Sequence, residues 1–103
     1  MNQDIKVVTI CGSMRYADEM KKIAWDLEVK KGLSVIQCVY NVDNESCDDL
    51  NFDTLAKLHK KKIDISDAIY VVNIDGYIGS SAKGEIEYAI SKGKEVIYHE
   101  KLK

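Results

Sequence analysis

The feature that most constrains the fold is a regular alternation of short apolar runs with longer amphipathic segments. Four runs rich in Ile and Val are predicted strands, at residues 5–11, 33–40, 68–74 and 95–98. The first, IKVVTIC, is apolar on both faces, as a central strand of a parallel sheet is. Helical spacing fills the segments between them, over 17–32, 54–66 and 82–93. This order predicts an α/β domain whose parallel strands are joined by right-handed crossovers.

Each helical segment has an apolar stripe and a recognisable end. Gly32 stops the first helix, and Asp53 or Thr54 can cap the second after a polar, acidic loop over residues 41–53. The stripes predicted to face inward contain Met20, Ile23, Ala24 and Leu27 in the first helix, Leu55, Leu58 and Ile63 in the second, and Ile86, Ala89 and Ile90 in the third.

Length and composition define the class of protein. The 103 residues predict a single domain over 1–103, and a chain this short buries only about 60–70% of its unfolded surface. That small core, with Trp25, Phe52 and Tyr88 outside the strands, predicts a homodimer or a dimer-based oligomer. The net charge of −2, without a stripe of basic and aromatic residues, argues against nucleic acid as a partner. Three cysteines without a CxxC pair and no apolar stretch long enough for a membrane span predict a cytoplasmic protein.

Ligands of parallel sheets bind at the carboxyl ends of the strands, and two loops here leave such ends. In the first, CGSMR, Gly12 allows a tight turn, Ser13 offers a hydroxyl and Arg15 a planar cation. Together these groups could hold a phosphate or another anion. Alternatively, Gly12 and Ser13 only form the turn and cap, with Arg15 in solvent. The phosphate-binding patterns GxxxxGK[ST] and GxGxxG are both absent.

The second loop lies within DGYIGSSAKGEIEYA and precedes two glutamates. Glu85 and Glu87 are two residues apart, so on a helix their side chains point about 200° apart. Glu85 is expected in the first helical turn, where the helix dipole favours the ionised carboxylate that a nucleophile requires. Alternatively, Glu85 is only a first-turn partner of the dipole. Glu87 is expected in solvent or at a subunit contact.

Taken together, these segments resemble the nucleoside 2-deoxyribosyltransferase superfamily, which includes 2'-deoxynucleoside 5'-monophosphate N-glycosidases. The resemblance covers nearly the whole chain, through CGSMR, KIDISDAIYVVN and GYIGSSAKGEIEYAISKGKEVIY. It implies a flavodoxin-like (Rossmann-like) parallel sheet of four to five strands with helices on both faces. The family's catalytic glutamate falls on Glu85, and its sugar-contacting aspartate falls near His59, although a lone histidine is more often structural.

The resemblance implies cleavage or transfer of the N-glycosidic bond of a 2'-deoxynucleoside or its 5'-monophosphate, without a metal or cofactor. CGSMR is more similar to the phosphate loop of the nucleotide hydrolases, which favours a monophosphate. The alternative is a nucleotide-binding module of the same fold without turnover. The expected site consists of catalytic Glu85 and substrate-binding Gly12, Ser13, Met14, Arg15, His59, Asp75, Gly79, Ser80 and Ser81.

Overall fold

The computed structural model describes residues 4–40 and 49–102. These form a sheet of four parallel strands in the order β2-β1-β3-β4, which confirms the predicted α/β class. The elements are β1 (Val7–Gly12), α1 (Ala17–Lys31), β2 (Ser34–Ile36), α2 (Asp49–Asp64), β3 (Ala68–Val72), α3 (Ser80–Ser91) and β4 (Glu95–Tyr98). Two single-turn 3-10 helices, Met14–Tyr16 and Ile74–Gly76, follow β1 and β3.

Helices cover both faces of the sheet, and the strand residues alternate between them. Ile10 and Val72 pack with Met20 and other buried residues of α1 on one face. On the other face, Cys11 packs in one cluster with Ile63 of α2, and with β3 and α3 residues. The alternation follows from the two-residue period of a strand, which sends neighbouring side chains to opposite faces.

The strand order places a topological switch point between β1 and β3. The two strands pair in register from Val8 opposite Ala68 to Gly12 opposite Val72, so their carboxyl ends lie side by side. The chain leaves β1 toward β2 on one side and returns to β3 on the other. Ligands of open α/β sheets bind in the crevice at such a point.

Two predicted helix starts were wrong, because in each case the helix begins earlier. Helix α2 begins at Asp49 instead of following a cap at Asp53 or Thr54, and residues 41–48 of the predicted loop lie outside the described residues. Helix α3 begins at Ser80 after Gly79 at the cap position. Strand β2 is also shorter than predicted and ends at Ile36, where its pairing with β1 stops.

Two residues predicted to face inward are exposed instead. Leu58 is 52% exposed because the inward stripe of α2 runs through its neighbour His59 to the fully buried Ile63. Ile90 is 62% exposed because the adjacent Ala89 takes the buried position on α3. Within the described residues, no helix combines the length and apolar character that crossing a bilayer requires.

Candidate active site

The two loops at the switch point lie against each other. A Cβ atom placed on Gly79 would lie 3.8 Å from the Cβ of Ser13 and 3.6 Å from the hydroxyl of Tyr77. The guanidinium carbon of Arg15 lies 4.1 Å from the centroid of the Tyr77 ring. This cation–π contact joins the loop after β1 to the loop after β3. Ser13, Arg15 and Gly79, which the sequence predicts as ligand contacts, are therefore close together.

In the first loop, the hydroxyl of Ser13 has a local partner. It caps the 3-10 helix by accepting a hydrogen bond from the Arg15 backbone N–H at 3.2 Å. Met14 and Arg15 are exposed. Within the described residues, no carboxylate pairs with Arg15. Among the described residues, the guanidinium therefore has the Tyr77 ring as its charge-stabilising contact, and its N–H donors remain available to an anion.

Gly12 is a strand residue that packing keeps small. It pairs with Val72 as the last residue of β1, so the turn predicted to begin there starts one residue later. A Cβ at this position would lie 2.6 Å from Sδ of Met20 and 3.2 Å from Cβ of Val72. Both distances are shorter than ordinary contacts, so any larger residue would have to displace the side chains of Met20 and Val72.

A buried amide shapes the second loop. The Asn73 side chain donates to the Glu100 carbonyl at 2.9 Å and accepts from the Glu100 N–H at 2.7 Å. Two residues further on, Asp75 has a left-handed backbone with a φ of 55°, and its N–H donates to the Glu100 carboxylate at 3.2 Å. The Asp75 side chain is exposed at this turn.

Because α3 begins at Ser80, Glu85 does not lie in the first helical turn, where it was predicted. Ser80 and Ser81 form the first turn of the helix and are exposed, whereas the sequence predicted them in the loop. Glu85 therefore lies in the second turn, and the first turn contains no acidic residue. The field of a helix terminus falls off within the first turn, so the dipole contributes less to ionising Glu85 than predicted.

Glu85 lies instead on the inward side of α3, against two side chains from other elements. Oε1 of Glu85 lies 3.6 Å from Nε2 of His59 on α2. The same nitrogen lies 3.4 Å from Sγ of Cys11 on β1. Cys11 and His59 are buried, and the Glu85 side chain keeps 22% of its surface exposed. The predicted site residues His59 and Glu85 are thus brought together, and the Glu85 side chain remains partly exposed.

Burial determines the protonation of all three groups. It raises the pKa of Glu85 to about 7, although interaction with the Cys11 thiol acts in the opposite direction. Burial, assisted by the charge of Lys62, lowers the pKa of His59 to about 4. Burial and the nearby Glu85 carboxylate raise the pKa of the Cys11 thiol. At neutral pH, Glu85 is therefore about half ionised between a neutral imidazole and a neutral thiol.

Sequence reasoning missed two residues of this region, Cys11 and Tyr77. Cys11 was considered only as one of three cysteines without a CxxC pair. The strand period offered a signal, because Ile10 faces α1 and its neighbour Cys11 must face α2 and α3. Cys11 also precedes Gly12, so the cluster around Glu85 adjoins the crevice at the end of β1.

The fold and site define a flavodoxin-like α/β domain with polar loops and a half-buried carboxyl at its switch point. Neither the scan of protein-family models nor the search of curated proteins found a match. The fold is similar to the crystal structure of a conserved protein from Enterococcus faecalis V583, with a TM-score of 0.61 and 16% sequence identity. That likeness covers 91% of this chain and 62% of the other. It supports the fold, and this chain spans less than two thirds of that protein's length.

Proposed function

We propose that the protein cleaves or transfers the N-glycosidic bond of a 2'-deoxynucleoside or its 5'-monophosphate, with Glu85 as the nucleophile. The observation that carries this proposal is the partly exposed Glu85 side chain, whose carboxyl lies beside Cys11 at the carboxyl end of β1. This is the edge where sheets of this order bind ligands. The resemblance of the GYIGSS…EIEYA segment to the deoxyribosyltransferase superfamily points to the same carboxylate.

In the proposed reaction, the ionised Glu85 carboxylate attacks the anomeric carbon of the deoxyribose. The carbon–nitrogen bond breaks, and the base leaves with its electron pair and takes up a proton. Water, or a second base in the transferase version, then attacks the same carbon and displaces the carboxylate. Two displacements at one carbon retain its configuration. The neutral His59 and Cys11 leave a single negative charge to stabilise the cationic sugar in a poorly solvated site.

The loop geometry favours a 5'-monophosphate as the substrate. Arg15 carries an unpaired charge among the described residues, and its guanidinium carbon lies over the Tyr77 ring. Next to it, Gly79 at the cap position of α3 supplies no side-chain hydrogen bond, so the first backbone N–H groups of that helix have no such partner. A guanidinium and a helix N-terminus on adjacent loops are the donors that a phosphate prefers.

The test is incubation of the protein with the four 2'-deoxynucleoside 5'-monophosphates and the matching nucleosides, followed by chromatography for free base. We expect base release from at least one monophosphate. Addition of a second free base separates the two versions of the reaction, because only a transferase forms a new deoxynucleoside. Failure to release base from any of these substrates would contradict the proposal.

A nucleotide-binding module without turnover is the second candidate. The observation that favours it is that the two groups have different contacts. Arg15 lies over Tyr77 and can hold a phosphate without Glu85, which lies against the buried Cys11 and His59. In that case, a monophosphate should raise the melting temperature of the protein while no base appears.

A further inference from the structure

Three donor atoms from three different elements converge on one point beside the sheet. Sγ of Cys11 on β1, Nε2 of His59 on α2 and Oε1 of Glu85 on α3 all lie within 4.8 Å of one another. The His59 nitrogen lies 3.4 Å from the sulfur and 3.6 Å from the oxygen. Each donor is carried by a regular element, which holds the cluster more rigidly than loops would.

This arrangement differs from a catalytic triad, in which a nucleophile, a histidine base and an acidic residue are hydrogen-bonded in series. A triad uses both ring nitrogens of the histidine, one for the nucleophile and the other for the orienting carboxylate. Here the single atom Nε2 faces both the thiol and the carboxyl. A shared nitrogen cannot pass a proton between its two neighbours in that way. Convergence of three donors is instead what coordination of a metal ion requires.

Two of the three separations are close to those of a tetrahedral zinc site, and the third, from Sγ of Cys11 to Oε1 of Glu85, is within 4.8 Å. With zinc bonds of about 2.3 Å to sulfur, about 2.0–2.1 Å to nitrogen and about 2.0–2.2 Å to oxygen, tetrahedral angles give about 3.6 Å from sulfur to nitrogen and about 3.3–3.5 Å from nitrogen to oxygen. The observed distances are 3.4 Å and 3.6 Å. A cysteine sulfur and an imidazole also favour zinc over magnesium or calcium, which prefer oxygen ligands.

We propose that Cys11, His59 and Glu85 bind one Zn²⁺ ion, with water as the fourth ligand. The thiol proton, and the carboxyl proton where Glu85 carries one, are released to solvent on binding, and the thiolate and carboxylate then balance the charge of the ion. Because a coordinated carboxylate cannot attack a sugar, zinc inhibits base release. The inhibition, unlike the metal binding, rests on the proposed function.

The test of binding uses Co²⁺, which takes tetrahedral sites and gives a thiolate-to-cobalt absorption band in the near ultraviolet. We expect one Co²⁺ per chain, a charge-transfer band, and loss of the band when Zn²⁺ displaces cobalt. Cys11→Ser should abolish the band. As the matched control, a Cys38→Ser, Cys47→Ser double variant keeps Cys11 as its only cysteine and should retain the band.

A second variant keeps the test decisive if Cys11→Ser fails to fold. Glu85→Gln removes the partly exposed donor, so it should keep the thiolate band and weaken cobalt binding by at least about tenfold, the lower end of the loss for an outer-shell partner. No band in the wild type, a band that survives Cys11→Ser, or a band lost in the double variant would each overturn the site. If Glu85→Gln bound cobalt with unchanged affinity, Glu85 would not be a ligand and the three-residue site would be wrong.

The inhibition of base release by zinc is measured in a separate experiment, and a negative result there would leave the proposed metal site intact. In a protein that releases base, a stoichiometric amount of Zn²⁺ should stop turnover, and a chelator should restore it. If zinc binds at Cys11 and turnover continues, the inhibitory role is wrong while the metal site stands. If no substrate releases base but the cobalt band appears as expected, the proposed function fails and the metal site is supported.

Discussion

Nε2 of His59 lies 3.6 Å from Oε1 of Glu85, at a contact between the inward sides of α2 and α3. The contact is not an ion pair at neutral pH, because burial lowers the pKa of His59 to about 4. Burial also raises the pKa of Glu85 to about 7, which leaves its carboxyl divided between two protonation states. A carboxyl near neutrality at a cleft is a group that catalysis can use.

Replacement of Glu85 by glutamine tests its role as the nucleophile. Glu85→Gln preserves shape but removes the charge, so base release should fall by at least about 1,000-fold while the fold persists. Glu87→Gln on the exposed side of α3 is the matched control and should release base at the wild-type rate. Turnover by Glu85→Gln at the wild-type rate would contradict the covalent mechanism.

The pH dependence of base release follows from the pKa of Glu85. Because the nucleophile must be ionised and its pKa is about 7, the rate should rise with pH through about 7 and level off above it. At about pH 6, the rate should be roughly one tenth of the plateau, since roughly one tenth of the carboxyl is then ionised. The profile is recorded with a chelator present. A rate independent of pH between about 5 and 9 would mean that another group limits the reaction.

Replacement of Arg15 tests recognition of the phosphate. A charge-assisted hydrogen bond contributes about 1.5–3 kcal/mol, so Arg15→Ala should weaken binding of a 5'-monophosphate by roughly 10- to 150-fold. Binding of the matching nucleoside should change far less, as calorimetry can show. Arg15→Lys keeps the charge but loses the planar guanidinium that lies over Tyr77, so we expect an intermediate loss. Equal losses for both ligands would show that this loop does not hold the phosphate.

Two glycine-to-alanine substitutions should have opposite effects on stability. Gly12→Ala adds a methyl group against Met20 and Val72, and overpacking of this kind destabilises by about 1–3 kcal/mol. Gly84 lies inside α3 with open space where its Cβ would be, so Gly84→Ala should stabilise by about 0.5–1 kcal/mol. Chemical denaturation measures both, and the same sign of change for the two variants would contradict the packing argument.

Exposed aromatic side chains still predict a homodimer. Trp25 on α1 and Phe52 on α2 are 59% and 61% exposed, whereas Tyr88 is used within the chain through a hydrogen bond to Asp64. Trp25→Glu and Phe52→Glu place a charge on different helices, so sedimentation of the two variants should show which face forms the contact. A wild-type monomer at high micromolar concentration would contradict the prediction.

The sequence predicted the strands and helices well because their signals are local. The apolar runs and the stop at Gly32 are read within a few residues, and all four strands lie where predicted apart from their ends. The inward face of α2 was predicted one position too early. Leu58 fits an apolar pattern and His59 does not, yet His59 is the buried residue. The contact of His59 with Cys11 joins residues 48 positions apart, and no local period encodes it.

The same limit applies to the setting of Glu85. Its position at the ligand edge followed from the βα order, but the local pattern did not show that α3 begins at Ser80. Nor could the sequence show that burial would outweigh the helix dipole. That balance depends on Cys11 and His59, which the fold brings in from other elements.

The Asn73 amide continues the sheet beyond its last backbone pair. The Asn73 side chain donates one hydrogen bond to the Glu100 backbone and accepts another from it, as a backbone group of a neighbouring strand would. An ionised aspartate at position 73 could accept a hydrogen bond but could not donate one, so this pair of hydrogen bonds requires an amide. Because Glu100 also holds the Asp75 N–H, the segment after β4 and the crevice loop are mechanically linked. The segment beyond the edge strand β4 thus helps to hold the backbone of the loop after β3 in position.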